Sequence, residues 1–377
     1  MRVLFLTCGP TSDPASRYRV YQYLKYLEAQ GIQCTVMSAI SSNLRRKFYY
    51  PAKGFFYKLL YFACVTFFRL AVLPHLGKYD IIFTQQAALP LLYPFPEILI
   101  YRKAHRLHKK VIFDFDDLIS DASPGKKSLF YYFRDIHRAR RILGGCDKII
   151  AGNDFLKQQA SRFNKNGTVI PTSIDLEKFR FKLPKRETKY PIAIGWMGSP
   201  GGFLYLNILW GVFKMLALKY DILIKIVGAT GKEKEIPGLE LEYEEWSLEK
   251  EVEQLHAFDI GIMPLTDDER SRGKCGLKLL QYMAAGIPAV ASSVGVNKKI
   301  ISDGINGYLA MGKDEWVKKL EKLILNPELR EKFAKNGRVT VEKDFSLRKN
   351  SKRLIRVLEE VYNSNLRDYY AGSLKDS

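Results

Sequence analysis

Two lysines four residues apart, Lys274 and Lys278, stand where the loop Gly273-Lys-Cys-Gly276 runs into a helical stretch, Leu277 to Ala285. Ammonium groups beside the unpaired N–H groups of a helix start suit a phosphate or diphosphate. Leu277, Leu280 and Ala284 recur at i, i+3 and i+7 as an apolar face, and Lys274, Lys278 and Gln281 recur at i, i+4 and i+7 as a second face that can hold a ligand. Gly286 and Pro288 end the helix, and Ala289-Val-Ala-Ser292 opens a strand. The loop Gly198-Ser-Pro-Gly-Gly202 also follows a strand, so Gly198 and Ser199 are placed to bring backbone N–H groups close to a diphosphate.

Further candidates lie in the first half of the chain. The segment Pro10 to Val20 follows the first strand and opens a helix, where Ser16, Arg17 and Arg19 either contact ligand or cap that helix. Asp114-Phe-Asp-Asp117 ends another strand. As Asp-x-Asp its carboxylates could hold a divalent metal, and as plain carboxylates they would cap the next helix.

The strand Phe258 to Leu265, the basic loop, Lys278-Leu-Leu-Gln-Tyr-Met-Ala-Ala-Gly-Ile-Pro288, Val294-Gly-Val-Asn297 and Asp303-Gly-Ile-Asn-Gly-Tyr-Leu-Ala310 follow one another in that order. This succession resembles the family-four retaining glycosyltransferases of the GT-B fold. Met1 to Leu6, Gly167 to Asp175 and Phe181 to Pro191 look like that family's first strand, inter-domain approach and linker, so the resemblance spans residues 1 to about 360. It implies a nucleotide-diphosphate-sugar donor whose leaving diphosphate is stabilised by Lys274 and Lys278 rather than by a metal. It also places Asp116 and Asp117 at the family's His-Asp strand end, facing the donor sugar and the acceptor hydroxyl. Two departures stand out. The family's glycine-rich turn after the first strand is missing, and its glutamate, seven residues, glutamate pattern falls on Gly273 and Gln281. Gln281 can still hydrogen-bond the ribose, and the donor-sugar contact must come from elsewhere or be absent; Asp267, Asp268 and Glu269 are nearby and either substitute or form a solvated loop.

The elements that must position these residues alternate along the chain. Runs of strand length begin at Met1, Gln33, Tyr79, Lys110, Lys148 and Thr168, and again at Pro191, Ile222, Leu239, Phe258, Ile287 and Gly307, with helical patterns between them. The expected fold is α/β, two Rossmann-like doubly wound domains facing a cleft. Residues 1–175 form the N-terminal acceptor-binding domain, 176–190 a charged linker and 191–347 the nucleotide-sugar-binding domain. A C-terminal helix, 348–366, can return to the first domain, and 367–377 form a flexible tail.

Composition narrows the setting. Five scattered cysteines in 377 residues offer neither a disulfide framework nor a zinc site, and the N-terminus starts directly as a strand, so a cytoplasmic protein is expected. The formal net charge is +20. No nucleic-acid signature accompanies it, whereas the acid-free stretch from Ser41 to Tyr79 interleaves Arg45, Arg46, Lys47, Lys53, Lys58, Arg69 and Lys78 with aromatic residues. That interleaving suits a peripheral helix on anionic lipid; the apolar run Leu59 to Phe68 is shorter than the roughly twenty residues of a membrane span. The combined expectation is a retaining, metal-independent glycosyltransferase without cofactor, acting on a glycolipid, polysaccharide or lipid-linked acceptor. Its alternatives are a sugar-nucleotide epimerase of the same fold and an inactive relative that binds membrane or polyanion.

Overall fold

A computed structural model describes residues 1–41, 43–44, 55–87, 93–119, 135, 137–183, 191–229 and 231–373. It divides into two compact units, Met1–Thr172 with Asn350–Ser377, and Ser173–Lys349. Each is built on a six-stranded, fully parallel sheet.

In the first unit the strands are β1 (Arg2–Thr7), β2 (Gln33–Ser38), β3 (Ile81–Gln85), β4 (Lys110–Phe115), β5 (Lys148–Ala151) and β6 (Gly167–Val169), ordered β2-β1-β3-β4-β5-β6. The helices of this unit are α1 (Pro14–Arg19), α2 (Leu24–Glu28), α3 (Phe55–Leu70), α4 (Phe95–Arg106), α5 (Arg138–Leu143) and α6 (Asp154–Ala160). The inner strands read as continuous apolar runs because helices cover both faces of a parallel sheet. Val3, Leu4, Ile82, Phe83, Val111, Ile112 and Ile149 are accordingly buried.

The second unit carries β7 (Ile192–Met197), β8 (Ile222–Val227), β9 (Glu240–Glu244), β10 (Ile260–Met263), β11 (Ala289–Ser292) and β12 (Tyr308–Ala310), ordered β12-β11-β10-β7-β8-β9. Its helices are α7 (Trp210–Ala217), α8 (Glu251–His256), α9 (Glu269–Arg272), α10 (Leu277–Ala285), α11 (Asn297–Ile300), α12 (Gly312–Leu325) and α13 (Pro327–Thr340). The core gathers Ile194, Trp196, Phe213, Ile224, Ile262 and Leu320 between sheet and helices. Strand order reverses between β1 and β3 in one sheet and between β7 and β10 in the other. In such sheets the ligand crevice lies outside the carboxyl ends of the strands flanking the reversal.

Every strand anticipated from the sequence is present, with ends shifted by no more than a few residues. The fold is the two-domain Rossmann-like α/β arrangement. Two segments differ from expectation. Part of the expected linker packs on the second unit: Phe179 is buried, Lys178 bonds Glu251 at 2.6 Å and the Lys182 N–H donates to Ala285. Residues 184–190 lie outside the described residues. The final helix, α14 (Leu347–Ser373), continues into the stretch expected to be a flexible tail. Leu354, Val357, Leu358 and Val361 anchor it at i, i+3, i+4 and i+7, and no glycine or proline interrupts it before Gly372.

Candidate functional site

At the first switch point, the exits of β1 and β3 are tied together by side chains. Asp13 caps α1 by accepting from the Ser16 N–H at 2.9 Å. Ser16 is fully buried, and its hydroxyl accepts from the Gly9 N–H at 3.0 Å while lying 2.9 Å from Asp13 Oδ2 and 3.0 Å from Gln85 Oε1. The sequence offered Ser16 as either ligand contact or cap, and the structure makes it an internal fastener.

Arg19 is corrected in the same sense. It is 2% exposed, and its guanidinium grips Asp114 through Nε at 2.9 Å and through Nη2, while Nη1 donates to the Ile170 carbonyl at 2.7 Å. Burial disfavours the charge, yet the fork geometry of the pair outweighs it and holds Arg19 above its ordinary value. Both oxygens of Asp114 are thereby committed to Arg19, which leaves the Asp-x-Asp metal reading without its first ligand. Arg17 alone of the trio is half-buried, with its guanidinium 5.0 Å over the Tyr18 ring and 3.4 Å from the Thr11 carbonyl.

Just beyond β4, Asp116 and Asp117 are both half-buried. Gln86 donates from Nε2 to Asp116 Oδ1 at 2.7 Å. Burial pushes the Asp116 carboxyl up to about 6; Arg19 opposes this, and the neighbouring Asp114 and Asp117 add to it. Gln86 holds a left-handed backbone, φ 53°, stabilised by its own N–H on the Asp114 carbonyl at 2.8 Å. A non-glycine residue in that region carries strain that the surrounding structure must offset, as occurs at functional sites. No sequence signal singled Gln86 out. Asp117 accepts from the Leu118 N–H at 2.9 Å.

In the second unit α10 opens on Gly276, φ +74°, where a Cβ would lie 2.3 Å from Ile300 Cδ1. Glycine is required there, and the helix starts without a side-chain cap. Lys278 stands in the first turn of this nine-residue helix, with its ammonium 5.5 Å from the centre of the Trp196 ring. Burial, and then the charge of half-buried Lys274, pull Lys278 down to about 8. No carboxylate pairs with Lys278 among the described residues.

Gly198 contributes by what it lacks. A Cβ there would meet Lys278 Cε and the Trp196 ring at 2.7 Å. Its N–H, expected to face a diphosphate, instead donates to the Val227 carbonyl at 2.9 Å and prolongs the β7–β8 ladder. Ser199, next in the loop, is exposed.

Gln281 is also displaced from its expected role. From Leu279 to Ala285 every residue of α10 is buried, because α8 and α13 cover the helix. The amide of Gln281 donates to Glu251 Oε1 at 3.1 Å, and Glu251 Oε2 accepts from Lys178. The supposed ligand face therefore narrows to its N-terminal end. The nearby acids are engaged too, since Asp268 caps α9 and Asp267 pairs with Arg272 at 2.8 Å.

Residues 205–340, which include α10 and both lysines, match the family described as glycosyl transferases group 1. The chain resembles that family over this stretch. Its enzyme class is glycosyl transfer. The whole chain is similar in fold to Anabaena HepE solved in complex with UDP, at 13% identity and a TM-score of 0.65 over 96% of this chain and 100% of that one. It is similar to sucrose-phosphate synthase from Thermosynechococcus elongatus, at 16% identity and 0.66 over 97% and 100%. It also resembles the lipopolysaccharide outer core galactosyltransferase WaaB in its apo form, at 14% identity and 0.59 over 95% and 99%. At these identities the likeness is one of fold, the GT-B arrangement. No curated protein sequence matches the chain.

Proposed function

We propose that this protein is a retaining, family-four glycosyltransferase that moves a sugar from a nucleotide-diphosphate donor to a hydroxyl of a glycolipid, polysaccharide or lipid-linked acceptor. The observation that carries the reading is Lys278, a cation without a carboxylate partner among the described residues, held against Trp196 at the uncapped start of α10. As the bond from the anomeric carbon to the diphosphate breaks, negative charge grows on the departing oxygens. Fixed cations and helix-terminal N–H groups stabilise that charge more than they stabilise the bound donor, which is what lowers the barrier. Lys274 and Lys278 supply the cations; Ser199, exposed on the adjoining loop, contributes to holding the donor. On the first unit, Asp116 and Asp117 are assigned to the reacting sugar and the acceptor hydroxyl, with Arg17 at the acceptor side.

The reaction in this reading needs neither metal nor cofactor, since lysines neutralise the leaving group and Asp114 is held by Arg19. None of the five cysteines forms a disulfide, which suits the reducing cytoplasm. The UDP bound by HepE makes uridine diphosphate the first ligand to try. A thermal-shift series with nucleoside diphosphates tests the site: a ligand at one hundred times its dissociation constant adds about 2.7 kcal/mol of stability. The stabilisation is expected for the wild type and lost in Lys274→Ala/Lys278→Ala. Equal stabilisation of both proteins would place the diphosphate elsewhere.

A further inference from the structure

The connections β2 to β3 and β3 to β4 run in one direction along the first sheet, whereas β1 to β2 runs in the other. Right-handed crossovers therefore lay α3 and α4 on the same face of the sheet and α1 and α2 on the opposite face. The helices α3 and α4 pack side by side, so their outward sides look the same way.

On α3 that side is apolar. Phe56, Leu59, Ala63 and Phe67 recur at i, i+3, i+7 and i+11, and Phe56 and Phe67 are 65% and 68% exposed. On the inward side, Val65 is buried and Arg69, expected among the surface cations, is buried as well, donating to the Thr7 carbonyl at 2.8 Å. On α4 the exposed side runs Phe95, Leu99, Arg102 and Arg106 at i, i+4, i+7 and i+11, apolar first and basic after. Arg102 also lines a cavity of about 820 Å³, whose rim carries Arg140, Arg162, Tyr93 and Phe163.

We propose that this α3–α4 face docks on an anionic phospholipid bilayer, with α3 lying in the boundary between headgroups and acyl chains and the arginines engaging lipid phosphates. Several large apolar side chains exposed on one face are rarely left to water. Charge complementarity selects the lipid: no acidic residue occurs from Ser41 to Tyr79, and guanidinium groups on the adjoining helix match phosphate geometry. Arg45, Arg46, Lys47 and Lys53 add to the basic count in sequence but lie outside the described residues. The stretch Leu59–Lys78 is long and apolar enough to span a membrane, with a mean hydropathy of 1.7 and 22% of it buried. Arg69 argues for lying flat instead, because its bond to β1 fastens the helix along the sheet. The face uses none of the residues assigned to the donor, so docking and transfer stand or fall separately.

Co-sedimentation of the full chain with vesicles tests this, comparing phosphatidylcholine alone with phosphatidylcholine mixed with phosphatidylglycerol. The wild type is expected to bind the mixed vesicles. Phe56→Ser/Phe67→Ser should weaken binding about tenfold even at low salt, while Arg102→Glu/Arg106→Glu should abolish the preference for the anionic lipid. All four positions are exposed, so thermal melting should be unchanged. In Phe67→Trp, brominated lipid should quench the new indole. Wild-type binding by both double variants would overturn the proposal, as would no binding to either vesicle. A dimer that Phe67→Ser splits, with no vesicle binding, would assign the face to a second copy of the chain.

Discussion

The Cε of Lys278 lies 2.7 Å from the point where a Cβ on Gly198 would sit, and the Trp196 ring lies as close to that point on another side. The glycine is thus the space into which the lysine stem passes on its way across the indole. Gly198→Ala should force the buried ring or the lysine to shift, costing about 1–3 kcal/mol of stability and weakening nucleoside diphosphate binding. Gly201→Ala serves as control, since its Cβ would meet nothing nearer than Ser199 Oγ at 4.0 Å. Thermal melts and calorimetric titration of both variants check the pair; equal behaviour would show that the packing around Lys278 is slack.

Because burial holds Lys278 down to about 8, a diphosphate that favours its protonated form should draw in a proton when it binds near that pH. Affinity should decline as pH rises above 8. The unliganded protein should behave oppositely: between about 8 and the ordinary lysine value the unfolded chain binds more protons than the folded one, so stability rises with pH. Titrations in buffers of differing ionisation heat would reveal the proton, and Lys278→Arg should remove it.

Asp116 gives a signal of the other kind. Its folded value of about 6 lies above the ordinary 3.8, so between those limits the folded state keeps a proton that the unfolded state releases. Its contribution to stability is full below pH 4 and is lost as pH rises through 6, on the order of 3 kcal/mol. Asp116→Asn should therefore gain on the wild type between pH 4.5 and 7.5 in thermal unfolding while losing nearly all transferase activity. A constant difference across that range would place the raised titration elsewhere.

Breaking the pair between Arg19 and Asp114 should damage the fold rather than substrate affinity. Arg19→Gln leaves a buried carboxylate without its partner, which costs about 3–5 kcal/mol. Arg19→Lys should rescue only partly, because an ammonium cannot make the fork to Asp114 and the bond to Ile170 together. Residual folded Arg19→Gln with an unchanged KM would agree; a raised KM at unchanged melting temperature would restore Arg19 to the substrate.

Transfer should survive chelation. With Asp114 engaged by Arg19, activity in EDTA is expected to stay within about twofold of the untreated enzyme, whereas Lys274→Ala or Lys278→Ala should each cost on the order of 10²–10³ in turnover. Loss in EDTA restored by manganese would revive the metal reading of Asp114 and Asp116.

What the sequence determined by itself was the architecture and the placing of two lysines at the start of α10. Parallel strands covered on both faces must be nearly all apolar, so runs such as Val3 to Leu6 or Ile222 to Val227 stand out without any knowledge of their partners. Lys274 and Lys278 were legible because a loop, a helix start and a spacing of four are local facts. The roles of Ser16, Arg19, Gly198 and Gln281 were not local. Arg19 meets Asp114 across 95 residues, Gln281 meets Glu251 across 30, and Gly198 gives its N–H to Val227 on the next strand. Polar groups in a parallel sheet domain must find buried partners wherever the chain brings them, so sequence type shows that a group needs a partner but not which one it takes. Only the tertiary structure separated the charges that fasten the two units internally from Asp116 and Lys278, whose protonation burial has shifted towards neutrality.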